Sequence, residues 1–155
     1  MSNLNFRHIF QNAFDTFKVF ETIPLEIVGT LVAGQTTTIW QTLNHLTLWR
    51  AYHIQKLKDT SSQVEFNEAA SWISESAPKD IAEWQAKTEE FHQQTKQLEG
   101  IITILHASDP QLEEKFKILH ESSTNLSFHL GEIILIARQQ GKYPQPYEMA
   151  EFLKD

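Results

Sequence analysis

The sequence contains no cysteine among its 155 residues. Disulfide frameworks, thiolate zinc sites and cysteine nucleophiles are therefore excluded. The lack of cysteine is also compatible with a cytoplasmic protein, which is the location we expect. Basic residues are scarce as well, since 13 Lys and Arg stand against 20 Asp and Glu, for a formal net charge of -7. Because no basic block is present, neither nucleic acid nor an anionic membrane surface is expected as a partner.

Long apolar runs are absent too. No stretch approaches the ~18 consecutive apolar residues that a membrane span requires. The segment from Met1 to Phe14 includes Arg7 and His8, and it lacks the uninterrupted apolar stretch of a signal peptide. Hydrophobic residues nevertheless make up 41% of the chain, with ten Phe and four Trp. That content suits one globular domain over residues 1–155 with a single aromatic-rich core.

The apolar residues recur with the spacing of helices rather than strands. A first amphipathic helix is predicted from an aromatic stripe that Pro24 ends, because the residue before a proline is pushed out of the helical region. The stripe consists of Phe6, Ile9, Phe10, Ala13, Phe14, Phe17 and Phe20. A second helix is predicted from about Thr37 to Lys58, with the threonine run Thr36 to Thr38 as its cap.

A third helix is predicted to begin at Ser76 and Pro78, because a proline in the first turn costs no hydrogen bond. Its core positions keep heptad spacing, which suits a helix packed nearly parallel or antiparallel to its neighbours. They are Ile81, Trp84, Thr88, Phe91, Thr95, Leu98, Ile102 and Leu105. Between the second and third helices, residues 60–77 are predicted to be a loop with a short helix around Asn67 to Ile73.

A fourth helix starts either at Pro110 or nearer Leu119, and it extends to Gln140, where Gly141 is a natural left-handed terminator. A short terminal helix is expected within residues 147–154. No segment alternates for long with a period of two, so strands are not expected. The predicted fold class is all-α, an up-down four-helix bundle with a short extra C-terminal helix.

Two segments with polar residues at defined positions lie in the predicted second and fourth helices. The first reads Thr38-Ile-Trp-Gln-Thr-Leu-Asn-His45-Leu-Thr-Leu-Trp49. The second reads Asn125-Leu-Ser-Phe-His129-Leu-Gly131-Glu132-Ile133, and it is followed by Arg138 and by Gly141-Lys-Tyr-Pro144. In their order and separation these segments resemble the motifs of the DinB-like family, four-helix-bundle proteins that are mostly described as metal-dependent enzymes. In that family the late motif reads His-x-x-x-His-x-Gly-Gln-Ile.

By that resemblance the metal ligands would be His45, Asn125 and His129. The family usually has histidine where this chain has Asn125, and Gln is common at the position of Glu132. The implied cofactor is a divalent metal, Zn, Ni or Fe, all of which imidazole binds well. Asn125 offers only a neutral amide oxygen, so binding is expected to be weak or absent. The remaining ligand could instead be Glu121, Glu132 or His53.

The residues themselves leave a second interpretation open. Positions 125 and 129 differ by roughly 40° around a helix, and with Glu121 and Glu132 they form a polar line of the kind that builds metal sites inside bundles. The competing interpretation is that His45 and Asn125 form ordinary hydrogen bonds on helix faces, and that Glu132 is solvated or salt-bridged. The other histidines, His53 among them, are predicted to be surface residues or satisfied structural residues. Most of the four tryptophans are expected in the core, although one could line an apolar pocket.

Two functions are compatible with these features. The resemblance implies a metal-dependent enzyme of the hydrolase or thiol-dependent transferase class, although no general base can be assigned and Glu132 is the nearest candidate. The alternative is a non-catalytic bundle that binds a small molecule or a protein partner, which the substitution at Asn125 favours. The resemblance and the surplus of aromatic residues also predict a homodimer.

Overall fold

The computed structural model describes residues 5–14 and 17–154, and every regular element in that part of the chain is helical. Its α-helices are α1 (Val19–Thr22), α2 (Leu25–Val28), α3 (Ile39–Lys58), α4 (Ile81–Thr103), α5 (Leu112–Gln139) and α6 (Met149–Phe152). Short 3-10 turns occupy Phe6–His8 and Ala69–Ser71. The predicted all-α bundle with a short extra C-terminal helix is confirmed. None of the described helices is long and apolar enough to cross a bilayer.

The central helix is α3, which packs against both other long helices. It begins at the threonine cap that the sequence predicts. Thr38 Oγ1 accepts from the Gln41 amide at 3.2 Å, and the Gln41 side chain accepts from the Thr38 amide at 3.0 Å. This capping box satisfies two amides that would otherwise lack partners. The Thr38 hydroxyl also donates to the Ser76 carbonyl at 2.7 Å, which ties the start of α3 to the residues just before α4.

The helices α3 and α4 run in the same direction. Trp40 packs against Trp84 near the starts of both helices, and further along Arg50 donates to the hydroxyl of Thr95. Residues 59–80 therefore form a return segment, which leads from the end of α3 back along that helix to the start of α4. The prediction of a helical bundle is confirmed. The predicted up-down order is wrong between α3 and α4, because a long crossover connects these two parallel helices where an up-down bundle would have a short turn between antiparallel ones.

The helix α5 is antiparallel to α3. His45, early in α3, lies beside His129, late in α5, whereas His53, later in α3, shares a cleft with His120, earlier in α5. The observed start at Leu112 lies close to the earlier of the two predicted starts. Since α4 is parallel to α3, the turn between α4 and α5 is the up-down reversal that the sequence predicts.

The predicted continuous first helix is wrong. A 3-10 turn at Phe6–His8 and further turns up to residue 14 occupy its place, and residues 15–16 lie outside the described part of the chain. Asn12, Phe17 and Lys18 have φ angles of 63°, 50° and 54°, which belong to the left-handed region that right-handed helices exclude. The helices α1 and α2 are four residues each and lie on either side of Pro24.

The N-terminal aromatic residues still enter the core, but against different helices. Phe6 and Phe10 meet Phe116 of α5 edge-on, with ring centroids 5.2 and 5.4 Å apart. Phe20 meets Phe91 of α4 at 4.7 Å in the same manner. This irregular segment therefore contributes aromatic side chains to the core where the sequence predicted a fourth long helix.

Candidate functional site

The strongest polar feature of the interior is a pair of histidines at the α3–α5 contact. The ring centroids of His45 and His129 lie 4.8 Å apart, and the ring planes are inclined by 78°. Both side chains are buried. Antiparallel packing of α3 against α5 brings the pair together although the two residues are distant in sequence, and these are two of the three metal ligands that the resemblance implies.

The tautomer of His45 follows from its hydrogen-bond partner. Its Nδ1 lies 2.6 Å from Ser71 Oγ, and the Ser71 hydroxyl donates to the Glu68 carbonyl at 2.6 Å. A serine hydroxyl has one hydrogen, so Ser71 can only accept from His45. The hydrogen of the neutral ring is therefore on Nδ1, and Nε2 carries a free lone pair.

His129 has the same arrangement on α5. Its Nδ1 lies 2.7 Å from Glu132 Oε2, one helical turn further along. A carboxylate only accepts, so His129 Nδ1 is the donor. Histidines that bind metals through Nε2 are commonly oriented in this way by a carboxylate or another acceptor on Nδ1. The sequence analysis considered Glu132 as a metal ligand or a general base. In the structure Glu132 accepts a hydrogen bond from His129 and so orients its ring.

The return segment supplies a carboxylate that the sequence analysis missed. Glu68 accepts from the indole of Trp49 at 3.1 Å and from the indole of Trp72 at 3.3 Å. Its Oε1 also lies 3.7 Å from His45 Nε2. Trp72 stacks on the imidazole of His45 with ring centroids 3.8 Å apart. The segment therefore covers the histidine pair with an indole and places a negative charge at its edge.

Burial keeps His45 neutral. The residue is 1% exposed, and burial together with the neighbouring His129 lowers the pKa of His45 to about 4, although Glu68 acts in the opposite direction. At neutral pH the contact between Glu68 and His45 is therefore not an ion pair. His45 Nε2 and Glu68 Oε1 both act only as hydrogen-bond acceptors, and they lie 3.7 Å apart. A cation or a hydrogen-bond donor placed between them would be stabilised by both atoms.

Asn125, the third implied ligand, lies one helical turn before His129 and is half-buried. It lines an open cleft of about 540 Å³ beside the histidine pair. The other lining residues are Trp49, His53, His120, Glu121, Thr124 and Phe128. Asn125 and two of the alternative ligands, His53 and Glu121, therefore share a separate space that adjoins the His45–His129 contact.

His53 differs from its predicted role as a surface or satisfied residue. It is 2% exposed, and neither ring nitrogen has a hydrogen-bond partner among the described residues. Burial, assisted by the positive charge of Arg50, lowers the pKa of His53 to about 4. A neutral imidazole offers one donor and one acceptor, and in His53 both ring nitrogens are buried without a partner among the described residues.

Arg50 is the source of the positive charge next to His53. Its guanidinium lies over the ring of Phe91 at 4.3 Å and donates to the Thr95 hydroxyl at 2.6 Å. Burial lowers the pKa of Arg50 to about 9, with Glu99 acting in the opposite direction. The side chain remains charged at neutral pH, and its positive charge disfavours protonation of His53.

The donor set fits a divalent metal in part. The Nδ1 atoms of His45 and His129 are engaged by Ser71 and Glu132, which fix the orientation of the two rings. Over residues 5–14 and 17–154, no group of three or more His, Asp or Glu side chains is arranged to hold a metal ion. The implied set contains only two residues of those types, and Asn125 is the third member.

The sequence motifs are the basis for any assignment to a family. Comparison of this chain with protein-family models, with curated proteins and with solved structures finds no match in any of the three.

Proposed function

We propose that the chain is a DinB-like metal-dependent enzyme of the hydrolase or thiol-dependent transferase class, with a weakened metal site at His45, Asn125 and His129. The observation that carries this proposal is the pairing of His45 with His129, both with Nδ1 bound to an acceptor. Since Nδ1 of each ring is engaged, Nε2 is the atom that each ring would offer to a metal at this contact between α3 and α5. The proposed location is the cytoplasm.

A metal bound there would act as a Lewis acid and lower the pKa of a bound water or thiol. The protein's own contribution would be orientation and exclusion of solvent. Ser71 and Glu132 fix the rings of His45 and His129. Trp72 covers one face of His45. Since the chain has no cysteine, any thiol in a transferase reaction must come from a small molecule.

Glu68 is our second candidate for the third ligand, alongside Asn125. Two ligand atoms on a tetrahedral zinc ion lie about 3.4 Å apart when each bond is about 2.0–2.1 Å. The 3.7 Å between Glu68 Oε1 and His45 Nε2 is close to that spacing. The Glu68 side chain is 60% exposed in the return segment. The same carboxylate is also the nearest base for a proton released at His45.

The proposal is tested by titrating protein purified without a His-tag with Zn²⁺ and with Co²⁺ as a spectroscopic probe. We expect weak one-to-one binding that His45→Ala and His129→Ala each weaken by at least about tenfold. His106→Ala changes a histidine in the exposed segment between α4 and α5 and should leave the affinity unchanged. Glu68→Gln should weaken binding by about tenfold if Glu68 is the third ligand and not at all if Asn125 is.

Catalysis is tested separately with the zinc-loaded protein and 4-nitrophenyl acetate as a general hydrolase probe, and with cysteamine and an electrophile for thiol transfer. We expect turnover above the rate of free zinc, lost in His45→Ala and in His129→Ala. Equal rates in the wild type and both variants would reject the enzyme assignment even if the metal binds.

The alternative function is a non-catalytic bundle that binds a small molecule or a protein partner. The observation that favours a small molecule is the cleft beside the histidine pair, which the half-buried Asn125 lines together with Trp49 and Phe128. This function predicts ligand binding without turnover and without any requirement for zinc.

A homodimer remains part of the proposal. The aromatic stripe that suggested it is covered in part within one chain, because Phe6, Phe14 and Phe20 are buried while Ile9 and Phe17 are exposed. An interface would use these two residues or other exposed apolar side chains, such as Leu135 of α5. Light scattering at micromolar concentration should give twice the chain mass, and a monomer mass would contradict the proposal.

A further inference from the structure

The histidine pair is covered by a short stretch of the return segment. The side chain of His45 is 1% exposed. Trp72 lies over both imidazoles, with its ring centroid 3.8 Å from that of His45 and 5.9 Å from that of His129. Ser71 bonds to Nδ1 of His45, and Glu68 lies beside Nε2. This stretch therefore controls access to His45 from the side of the return segment.

The return segment is attached to α3 on either side of this stretch. The ammonium group of Lys56 donates to the Ser62 carbonyl. The side-chain amide of Gln41 donates to the Ile73 carbonyl at 3.1 Å. We call residues 63–72, which lie between these two attachments, the strap. Its ends are thus fixed relative to α3, and its middle is not part of either attachment.

The strap is longer than the distance between its attachments requires. Gln41 and Lys56 are fifteen residues apart in α3, which corresponds to about 22 Å along the helix axis. The chain from Ser62 to Ile73 can span up to ~36 Å when it is extended. Part of the excess length is taken up by the 3-10 turn at Ala69–Ser71. The middle of the strap can therefore lift from α3 while both attachments stay in place.

The middle of the strap is held on α3 mainly at two side chains of that helix. Phe66 stacks on Trp49 with ring centroids 3.8 Å apart, and Glu68 accepts from the Trp49 indole at 3.1 Å. One turn earlier, Trp72 stacks on His45. Seven of the ten strap residues are exposed, so the strap buries little apolar surface. Segments of this kind open locally at a lower free energy than the whole protein unfolds.

We propose that the strap opens locally between its two attachments and so admits small molecules to the His45–His129 pair. The hydrogen bond from the Trp49 indole to Glu68 holds it closed. Trp49 lies on α3, so this bond must break when the strap lifts, whereas the bond from Trp72 to Glu68 lies within the strap and can persist. The opening is a property of the chain and requires no metal. Only its role in admitting a substrate rests on the proposed function.

The opening can be measured with a single thiol, because the chain has no cysteine. Ser71 in the strap is 2% exposed and Ser122 of α5 is 1% exposed. Ser71→Cys therefore places a thiol beneath the strap, and Ser122→Cys places a matched one in the core. Ala70→Cys, at an exposed position of the strap, gives the unhindered rate. Each protein reacts with N-ethylmaleimide at pH 7 with EDTA present, and mass spectrometry follows the labelling.

The thiol of Ser71→Cys is expected to react at an intermediate rate. It should be at least about tenfold slower than Ala70→Cys, because the strap is mostly closed, and at least about tenfold faster than Ser122→Cys, because local opening is easier than global unfolding. Below the unfolding transition, its rate should depend little on urea, since opening of the strap exposes little surface. The rate for Ser122→Cys should rise steeply with urea.

The bond that holds the strap closed is tested in the Ser71→Cys background. Glu68→Ala should raise the labelling rate by about tenfold or more, the effect of losing one hydrogen bond to a charged acceptor. Glu68→Gln, whose amide oxygen can still accept from Trp49, should raise it less. Glu65→Ala removes an exposed carboxylate from the same strap and should leave the rate unchanged.

The proposal is overturned if Ser71→Cys reacts as slowly as Ser122→Cys with the same dependence on urea, because the strap would then open only with the whole protein. It is equally overturned if Ser71→Cys reacts as fast as Ala70→Cys, or if Glu68→Ala leaves the rate unchanged. In the unsubstituted protein, the Trp49 indole hydrogen should exchange with solvent through the same opening. Exchange that follows global unfolding in its dependence on urea would also reject the strap. Because EDTA is present, these outcomes are independent of the zinc titration that tests the proposed function.

Discussion

Acidification from pH 7 to pH 4 is expected to remove several kcal/mol from the free energy of unfolding, through His45 and His53. Burial lowers the pKa of each residue to about 4, with His129 acting further on His45 and Arg50 on His53. In the unfolded chain both titrate near 6.5, so the unfolded state binds protons first as the pH falls. The stabilisation is fully present above about pH 6.5 and is lost as the pH falls toward 4, at about 3 kcal/mol per residue.

Urea unfolding followed by circular dichroism at pH 7, 5.5 and 4.5, with EDTA present, measures this loss. His53→Phe should remove about half of the dependence on pH over that interval, because Phe does not titrate and fills a similar volume. His106→Phe at an exposed position supplies the background from other groups. The carboxylates of Glu26, Asp59 and Asp109, whose pKa values hydrogen bonds hold below the usual range, are common to all variants. Identical slopes in the wild type and in His53→Phe would mean that His53 is not buried in its neutral form.

Replacing Asn125 by histidine is expected to raise the zinc affinity by at least tenfold. The substitution adds a third imidazole one turn before His129 and gives the ligand set of the DinB-like family that the two motifs resemble. Two imidazoles and an amide fall short of the three good ligands that a zinc site with an open position normally has. Competition with a chelator of known affinity measures the gain, with protein prepared without a nickel column.

The control is the same substitution in a His45→Ala background, where the gain should shrink because only two imidazoles remain. An unchanged affinity in Asn125→His would mean that position 125 points away from the shared site and belongs to the cleft alone. If the wild type already retains stoichiometric metal after dialysis, the site is not weakened, and Glu68 is then the first candidate for the additional ligand.

The long helices could be predicted because their signals are local. The threonine cap, the spacing of apolar residues and the terminating glycine, Gly141 with φ of 66°, all act within a few residues. The direction of α4 relative to α3 could not be predicted, because a heptad pattern is the same for parallel and antiparallel packing. The predicted first helix was wrong because its Phe residues have different partners, Phe116 for Phe6 and Phe91 for Phe20. Tertiary packing of those rings outweighs a local helical pattern.

The candidate site could be predicted only where it lies on helices. The motifs indicated His45 and His129, and the structure places the two rings together. Glu68 and Ser71 lie in the return segment, where no periodic pattern marks a residue that reaches α3. The sequence predicted a loop over residues 60–77, but it did not reveal that this connection returns along α3, and the positions of Glu68 and Ser71 depend on that direction. The sequence did not predict that His53 is buried without hydrogen-bond partners. Burial depends on how the helices pack, and the spacing of residues along one helix does not show it.

The most direct test of the histidine pair is a long-range ¹⁵N–¹H NMR spectrum of the histidine rings, recorded at pH 7 without metal and then with saturating Zn²⁺. The structure predicts that His45 and His129 are both protonated on Nδ1 in the metal-free protein, because Ser71 and Glu132 accept from those atoms. On addition of zinc, the Nε2 resonances of these two residues should move to the metal-bound range, while those of His106 stay in place. A neutral ring of either residue with its hydrogen on Nε2, or Nε2 resonances that do not respond to millimolar zinc, would contradict the proposal that this pair binds a metal.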